Sequence, residues 1–272
     1  MSDNPVPHPN LKVVVITGSS RGIGRGLADA FLARGCQVMI SSRSESSVQN
    51  CLDELSRKYP QERIAGQVCD VTVHSQIESL WAAAQKAFGQ VDIWINNAGI
   101  SLPPRPLWEQ DQQALEQIID INLKGVAYGC LTAVRSMKQQ GFGQIYNMEG
   151  FGSDGRTMKG MTAYGSTKSA VAYLTKSLAK ECKGSVVQVS ALSPGMVVTD
   201  LLMQDVDQSS PAFERTRKVF NMLADRVETV TPWMVNKVLS GPRNGGGVRW
   251  LTTPKILWRI MSAPFLKRQI ID

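Results

Sequence analysis

The sequence is poor in the residues that build metal sites and disulfide frameworks. Its 272 residues include two histidines, His8 and His74, and five cysteines. The cysteines are widely spaced and odd in number, and none forms a C-x-x-C pair, so no metal-ligand pattern is present. We therefore expect the cysteines to be small core residues of a protein in a reducing compartment.

Long apolar runs are also missing. No run approaches the ~18 residues of a membrane span, and residues 1–10 are polar and proline-rich, so we expect a flexible N-terminal arm rather than a secretory signal. The formal net charge of +7 fits a solvated basic surface with a site for an anionic cofactor, and leaves open an anionic membrane or acidic partner. The arginines are scattered and no recognition motif occurs, so we expect no nucleic-acid partner.

The chain does contain a regular alternation of short β-branched runs and amphipathic segments. Expected strands cover residues 12–17, 37–41, 63–69, 91–95, 144–147, 185–192 and 247–252. Expected helices cover about residues 21–34, 44–58, 72–88, 109–119 and 121–140, with a further helix around residue 166 and a short apolar helix after residue 252. This alternation predicts an α/β fold: a Rossmann-type, doubly wound parallel sheet of about seven strands with helices on both faces. With no internal repeat or linker, residues 11–272 are expected to form one domain.

A glycine-rich turn follows the first strand. Gly18, Gly22 and Gly24 stand between that strand and the first helix, where glycine permits a tight turn and the helix N-terminus offers free N–H groups to a pyrophosphate. The turn therefore predicts a dinucleotide cofactor. Further cofactor contacts are expected from this turn and from the ends of the next three strands: Ser20, Arg21, Ile23, Ser42, Arg43, Asp70, Val71, Asn97, Ala98 and Gly99.

The second strand ends without an acidic residue, which would hold the ribose 2′-hydroxyl of NAD. The sequence there is Ser41-Ser42-Arg43, and Arg21 lies in the first turn. Two guanidinium groups suit a 2′-phosphate. We therefore expect NADPH, with NADH as the alternative.

The run Tyr164-Gly165-Ser166-Thr167-Lys168 has the spacing Tyr-x-x-x-Lys. Positions four apart share one face of a helix, so the phenol and the ammonium group can reach one cofactor. Behind the glycine turn and Asn96-Asn97-Ala98-Gly99, the run indicates hydride transfer to or from a carbonyl group.

The order of these motifs, with Pro194-Gly195 after them, resembles the short-chain dehydrogenase/reductase family from about residue 11 to 205. The resemblance implies that Tyr164 is the general acid/base, that Lys168 lowers the pKa of the phenol and binds ribose, and that Asn122 orders a proton-relay water. It implies contacts to the nicotinamide end from Pro194, Gly195, Val197 and Thr199. Because dimers and tetramers are usual in the family, we expect a homodimer or homotetramer.

The serine that this family carries after the fifth strand is missing. Gly150 or Phe151 takes its position, depending on whether one counts from Asn147 or from Tyr164, and neither has a hydroxyl. A carbonyl oxygen then needs another donor: Ser153, backbone N–H groups of this glycine-rich loop, or Glu149 if protonated. We take Ser153 as the candidate catalytic residue, with a plain turn role in Ser-Asp-Gly as the alternative.

This departure narrows the resemblance to the chlorophyll b reductases and their bacterial relatives. The similar segments are residues 149–156, 92–99, 192–203 and 248–252 with Lys255. The resemblance implies reduction of the 7-formyl group of chlorophyll b to a hydroxymethyl group. The plant enzymes carry a transit peptide that this sequence lacks, so we expect a bacterial protein, or an organelle protein without its transit peptide, that is cytoplasmic or peripheral to a membrane.

Two other functions stay open at this point. One is a carbonyl reductase of the same fold that acts on another ketone, aldehyde or steroid-like substrate, because a fold does not fix a substrate. The other is a non-catalytic NADP-binding scaffold, which the missing serine suggests. Intact Tyr164, Lys168 and Asn122 argue against the scaffold.

Two apolar segments lie beyond the motifs. Residues about 200–228 carry apolar side chains at helical spacing, which fit core packing or a lid over a large flat substrate. The segment from about 249 to 272 mixes aromatic, apolar and basic residues. That mixture suits a membrane surface, a pigment-protein partner, an oligomer interface or docking onto the domain itself.

Overall fold

The computed structural model describes residues 11–203, 213–241, 243–263, 265–266 and 268–271, apart from the side chain of Arg215. The predicted N-terminal arm, residues 1–10, lies outside the described residues. So do residues 204–212 of the predicted lid and residues 242, 264, 267 and 272.

The central element is a parallel sheet. Its strands are β1 (Val13–Ile16), β2 (Gln37–Ser42), β3 (Ile64–Val68), β4 (Ile93–Asn96), β5 (Gly143–Met148), β6 (Val187–Ser193) and β9 (Gly247–Arg249). Their order is β3-β2-β1-β4-β5-β6-β9, and β7 (Val197–Val198) pairs separately with β8 (Asp225–Arg226). The strand order reverses between β1 and β4, which is the switch point where ligands bind in doubly wound sheets. The predicted seven-stranded Rossmann-type sheet is confirmed.

Helices cover both faces of this sheet. They are α1 (Gly22–Leu32), α2 (Glu45–Ser56), α3 (His74–Phe88), α4 (Gln112–Ile119), α5 (Gly125–Gln140), α6 (Thr162–Glu181), α7 (Asp200–Met203), α8 (Phe213–Leu223), α9 (Val227–Leu239) and α10 (Thr253–Ser262). No helix among the described residues is long and apolar enough to cross a bilayer.

The first strand shows why these short runs form buried strands. Val14 and Ile16 pack into the cluster on the α1 and α9 side, whereas Val13 and Val15 pack into the cluster on the α3, α5 and α6 side. Side chains alternate between faces along a strand, so a strand covered on both faces must be apolar throughout. Full burial of each such side chain contributes about 1.5–3 kcal/mol.

The two helices predicted at 109–119 and 121–140 are one continuous helical segment. It begins at Gln112, where the Asp111 carboxylate accepts a hydrogen bond from the backbone N–H of Ala114 (2.9 Å), and α4 passes into α5 through a π-helical turn, Asp120–Lys124. A π turn inserts one residue without breaking the helix. The insertion shifts the spacing of apolar residues, and in the sequence this shift looks like the end of one helix and the start of another.

The start of α3 also differs from expectation. Thr72 was expected to open this helix, but α3 begins at His74. Both the backbone N–H and the hydroxyl of Thr72 donate to the Asp70 carboxylate, at 2.9 and 2.8 Å. Thr72 therefore belongs to a side-chain-stabilised turn that precedes the helix.

Candidate active site

The carboxyl ends of the strands open into one large cavity of about 2050 Å³. Ordinary small-molecule sites occupy about 300–1,000 Å³, so this space is large enough for a dinucleotide and a second molecule. Tyr164 and Lys168 line it. The following residues expected to bind cofactor also line it: Gly18, Ser20, Arg21, Gly22, Ile23, Gly24, Ser42, Arg43, Val71, Asn97, Ala98, Gly99, Pro194, Gly195, Val197 and Thr199.

Asp70 is the exception among the residues expected to bind cofactor. Its neighbours Cys69 and Val71 line the cavity, but Asp70 does not. Its carboxylate accepts the two hydrogen bonds from Thr72. In the structure Asp70 therefore shapes the turn after β3, and its direct contact with the cofactor stays a prediction.

The glycine turn leaves no room for side chains. Gly18 has φ of +61°, and a Cβ added there would lie 2.9 Å from the Cα of Ala98. A Cβ at Gly24 would lie 2.5 Å from the carbonyl oxygen of Gly18. Arg21, at the N-cap of α1, makes no side-chain capping hydrogen bond. The first N–H groups of α1 are thus without a side-chain cap, and the cradle fits a pyrophosphate.

Asn97 fastens the loop after β4 to this turn. Its side-chain amide donates to the carbonyl oxygens of Thr17 and Gly18, both at 2.9 Å. The hydroxyl of Thr17 accepts from the backbone N–H groups of Asn97 (3.0 Å) and Ala98 (3.1 Å). Sequence reasoning assigned Asn97 to the cofactor and missed Thr17. Their positions at the carboxyl ends of neighbouring strands were the available signal.

The groove beyond β2 is basic. Ser42, Arg43, Ser44 and Ser47 line the cavity there, and Arg21 faces it from the first turn. Neither Arg21 nor Arg43 has an ion-pair partner among the described residues. These groups suit a phosphate more than a ribose hydroxyl.

Tyr164 and Lys168 lie one turn apart on α6. Lys168 is buried, its Nζ donates to the carbonyl oxygen of Met148 (3.1 Å), and Nζ lies 5.8 Å from the centre of the Tyr164 ring. Burial raises the pKa of Tyr164 to about 12. Burial lowers the pKa of Lys168 to about 8, while the charge of Glu149 acts in the opposite direction.

The raised pKa of Tyr164 is that of the protein without cofactor, and the lowering expected from Lys168 together with the oxidised nicotinamide stays a prediction. Among the protein's own groups, loss of hydration outweighs attraction to an ammonium group that lies 5.8 Å from the ring centre and is bonded elsewhere. Tyr164 is therefore protonated at neutral pH, which suits a group that gives a proton to a carbonyl oxygen.

Gly150 occupies the position opposite the phenol. A Cβ at Gly150 would lie 2.3 Å from the Tyr164 hydroxyl oxygen and 3.3 Å from Cγ of Lys168. Of the two candidates for the missing serine position, Gly150 is thus the one against the phenol. The absent side chain makes room for Tyr164.

Ser153 lines the cavity, but its hydroxyl is hydrogen-bonded within the protein. Its hydroxyl donates to the backbone carbonyl oxygen of Lys168 (3.2 Å) and accepts from the backbone N–H of Gly150 (3.1 Å). The hydroxyl hydrogen and the Gly150 N–H are therefore used within the protein. This geometry fastens the loop after β5 to α6, which supports the structural alternative for Ser153, and its role as the substitute donor stays a prediction.

Asn122 lies in the π-helical turn and is fully buried. Its amide oxygen accepts from the backbone N–H of Ile100 (2.8 Å), and its amide nitrogen donates to the carbonyl oxygen of Ile100 (2.9 Å) and to the hydroxyl of Thr167 (3.2 Å). Asn122 thus joins the loop after β4 to the catalytic helix. The expected role in ordering a water molecule stays a prediction.

A buried carboxylate and an arginine complete the site, and sequence reasoning missed the arginine. Glu149 is buried, and its Oε2 lies 3.4 Å from Nη2 of Arg249. Both residues line the cavity. A signal was available, because Arg249 lies within the predicted seventh strand (247–252), and in the structure it ends β9 at the edge where the site forms.

The wall away from the glycine turn comes from α7, α8 and the start of α10. Arg259 and Arg268 both pair with the buried carboxylate of Asp225, at 2.9 and 2.6 Å, so these two basic residues face inward. Asn221 of α8 accepts hydrogen bonds from the backbone N–H groups of residues 270 and 271, at 2.7 and 2.9 Å. The described end of the chain thus docks onto the domain.

The outer face of α10 remains apolar and exposed. Leu257, Trp258, Ile260 and Met261 are each about half exposed or more. The predicted alternative of docking onto the domain therefore accounts for the described basic residues of this segment but not for these apolar side chains.

Comparison with known proteins gives the same family throughout. The family model for short chain dehydrogenases matches residues 12–210. The chain is 37% identical over 258 residues to the chlorophyll(ide) b reductase NOL of rice (Oryza sativa subsp. japonica), across 92% of this chain and 74% of that protein. It is 34% identical over 190 residues to an uncharacterized oxidoreductase of Staphylococcus saprophyticus, across 70% of this chain and 80% of that protein.

Among solved structures, levodione reductase has a TM-score of 0.77 at 25% identity, covering 88% of this chain and 95% of its own. The predicted resemblance is confirmed by the family model and by the similarity to the plant reductase. The chain belongs to the short-chain dehydrogenase/reductase family, and it is an oxidoreductase whose fold binds NAD(P)H.

Proposed function

We propose that this protein is an NADPH-dependent carbonyl reductase that converts the 7-formyl group of chlorophyll b to the 7-hydroxymethyl group. The similarity to the rice chlorophyll(ide) b reductase over 92% of the chain supports this substrate. So does the residue pattern at 149–156, which resembles that of the chlorophyll b reductases.

The size and lining of the cavity carry the proposal. Its volume of about 2050 Å³ exceeds the need of a dinucleotide with a small ketone. The wall beyond Tyr164 is largely apolar, as a flat macrocycle requires. Six of its side chains are Leu102, Met161, Leu202, Phe213, Phe220 and Ile256.

The residues of the groove fit NADPH. We propose that the glycine turn holds the pyrophosphate, that Arg21 and Arg43 hold the 2′-phosphate, and that Tyr164 and Lys168 bind the nicotinamide ribose. Residues 194–199 would border the nicotinamide. The cofactor supplies a hydride equivalent when it is bound.

Tyr164 supplies the proton. Its pKa of about 12 keeps the phenol protonated, so it can donate to the carbonyl oxygen as that oxygen gains negative charge. The positive charge of Lys168 then favours the phenolate that forms. Positioned general acids contribute about 10²–10⁴-fold in rate.

The test is anaerobic incubation with NADPH and chlorophyll b, with products identified by chromatography and absorbance, and with NADH in a parallel reaction. We expect 7-hydroxymethyl chlorophyll a from the natural sequence and none from Tyr164→Phe, which should bind NADPH with nearly unchanged affinity because only the hydroxyl is lost. Turnover by Tyr164→Phe contradicts the assignment of the proton donor.

A reductase for smaller carbonyl compounds is the second candidate. The structural similarity to levodione reductase favours it. A panel of small ketones and aldehydes in the same assay separates the two functions. Protein that binds NADPH, reduces panel members and leaves chlorophyll b unchanged would support this candidate. NADPH binding without turnover of any compound would support a non-catalytic NADP-binding scaffold.

A further inference from the structure

Arg249 places a cation in the substrate part of the cavity. It is the last residue of β9, and its side chain is 51% exposed while lining the cavity. Its Nη2 lies 3.4 Å from Oε2 of Glu149, which is its single hydrogen-bond partner among the described residues. A guanidinium group carries five N–H donors and no acceptor, so most of its donors have no hydrogen-bond partner among the described residues.

The sheet determines where this side chain points. Met148, Leu192 and Val248 are in register across β5, β6 and β9, and all three pack into the cluster on the α1 and α9 side. Side chains alternate along a strand, so the following residues, Glu149 and Arg249, point to the opposite side. That is the side on which α6 carries Tyr164 and Lys168. The sheet therefore positions the backbone from which the guanidinium extends.

The charged side chains around Glu149 carry a net positive charge. Lys168 and Arg249 are two cations, and Glu149 is one carboxylate that acts on both. Lys168 is buried and its Nζ already donates to the carbonyl oxygen of Met148. The excess positive charge is therefore presented to the cavity by Arg249. Elsewhere at the rim, Arg156 is already paired with Asp154 at 2.6 Å.

We propose that Arg249 binds a carboxylate group of the substrate, so that the protein favours the free-acid form of a large apolar carbonyl compound over its ester. The guanidinium fork matches a carboxylate in a two-point hydrogen bond, and one such group in an apolar wall fixes the orientation of a flat molecule. This inference rests on the proposed function. There it predicts that chlorophyllide b, with a free propionate, is preferred to esterified forms such as chlorophyll b.

The test compares two ligands that differ in one charge, chlorophyllide b and its methyl ester. Dissociation constants come from quenching of tryptophan fluorescence, and kcat/KM comes from product formation with NADPH. For the natural sequence we expect the acid to be favoured by at least about tenfold in both measurements, the usual scale of a charge-assisted pair. Arg249→Gln should bring the ratio close to one by weakening the acid while leaving the ester nearly unchanged.

Arg156→Gln is the matched control, because it removes an arginine of the same cavity whose guanidinium is occupied by Asp154. It should keep the preference for the acid. Arg249→Gln leaves Glu149 buried without its partner, so the double variant Glu149→Gln/Arg249→Gln is measured as well, with NADPH affinity as the check on folding. The double variant should also lose the preference.

Equal affinity of the natural sequence for acid and ester would overturn the inference, and so would a preference that survives in the double variant. Failure of the proposed function gives different results from failure of this inference. Acid-selective binding that depends on Arg249, without reduction of either pigment, would leave the inference standing and remove the pigment reductase. Reduction of both pigments at equal efficiency would support the pigment reductase and overturn the inference about Arg249. No binding of either pigment would contradict both.

Discussion

Gly150 shows how one missing side chain sets the geometry of the site. Family resemblance makes its position look like a lost catalytic serine, but a Cβ there would lie 2.3 Å from the Tyr164 hydroxyl oxygen. Glycine is therefore required by the position of the phenol. Sequence comparison alone does not reveal this, because the requirement depends on how closely β5 and α6 approach each other.

Restoring the serine should accordingly impair the enzyme. We expect Gly150→Ser to lower kcat/KM by at least about tenfold, since displacing a proton donor by about 1 Å weakens catalysis strongly. Gly150→Ala is the matched control and should cause a similar loss, because the cause is the Cβ. Steady-state kinetics measure both, and a gain in activity with the serine would refute this interpretation.

Ser153 is the opposite case from Gly150. It has a hydroxyl group, and we assign that hydroxyl a structural role. Ser153→Ala removes two hydrogen bonds that fasten the loop after β5 to α6. We expect a loss of about 1 kcal/mol in the free energy of unfolding, with kcat within about twofold of the natural value. Denaturant unfolding and kinetics measure the two quantities. A large fall in kcat in a stable protein would return Ser153 to the catalytic group.

The charge of Glu149 should affect how kcat/KM for reduction depends on pH. Lys168, with its pKa lowered to about 8, is cationic below that pH and loses its charge above it. Since the cation favours the phenolate, we expect kcat/KM for reduction to fall as pH rises through about 8. Glu149 raises the pKa of Lys168, so Glu149→Gln should move the fall to lower pH. A fall that stays in place, or moves to higher pH, would contradict this coupling.

At the scale of elements, the end of the chain holds α8 in place as part of the cavity wall. Asn221 accepts from two backbone N–H groups of the C-terminal residues and donates to the carbonyl oxygen of Ile271 (3.1 Å). Phe220 and Leu223 of the same helix line the cavity. The tail and the cavity wall therefore share this helix.

We expect Asn221→Ala to raise KM for a pigment substrate several-fold with a smaller effect on kcat, because loss of about three hydrogen bonds loosens the wall and not the Tyr164 region. Asn50→Ala, on the exposed side of α2, is the control. Steady-state kinetics with pigment and with NADPH give both constants. An unchanged KM for pigment in a folded variant would show that the C-terminal residues do not affect substrate binding.

Elements with a single strong signal were predictable from sequence. The β-branched runs predicted all seven strands of the sheet, and the helix expected at 44–58 is α2, which Ser44 caps. The π-helical turn was not predictable, because a one-residue insertion shifts the apolar period in the same way as a break. The start of α3 was misplaced for a related reason, since Thr72 has cap chemistry but uses it in a turn.

At the scale of the whole molecule, the parallel sheet gathers distant residues at one edge. The glycine turn, Arg43, the Tyr–Lys pair and residues 194–199 were assigned from motifs, and the structure brings them to one cavity. The Glu149–Arg249 pair was not found, because its members lie 100 residues apart and are neighbours only through the register of β5, β6 and β9. Such pairs require topology as well as sequence.

The most direct measurement of the proposed function follows one hydrogen atom. Chlorophyll b is incubated anaerobically with NADPH that carries deuterium at either face of nicotinamide C4, and the pigment is analysed by mass spectrometry. The proposed function predicts 7-hydroxymethyl chlorophyll a with one deuterium on the new CH₂OH carbon, from one of the two labelled cofactors. Unchanged chlorophyll b, with protein that binds NADPH, would contradict it.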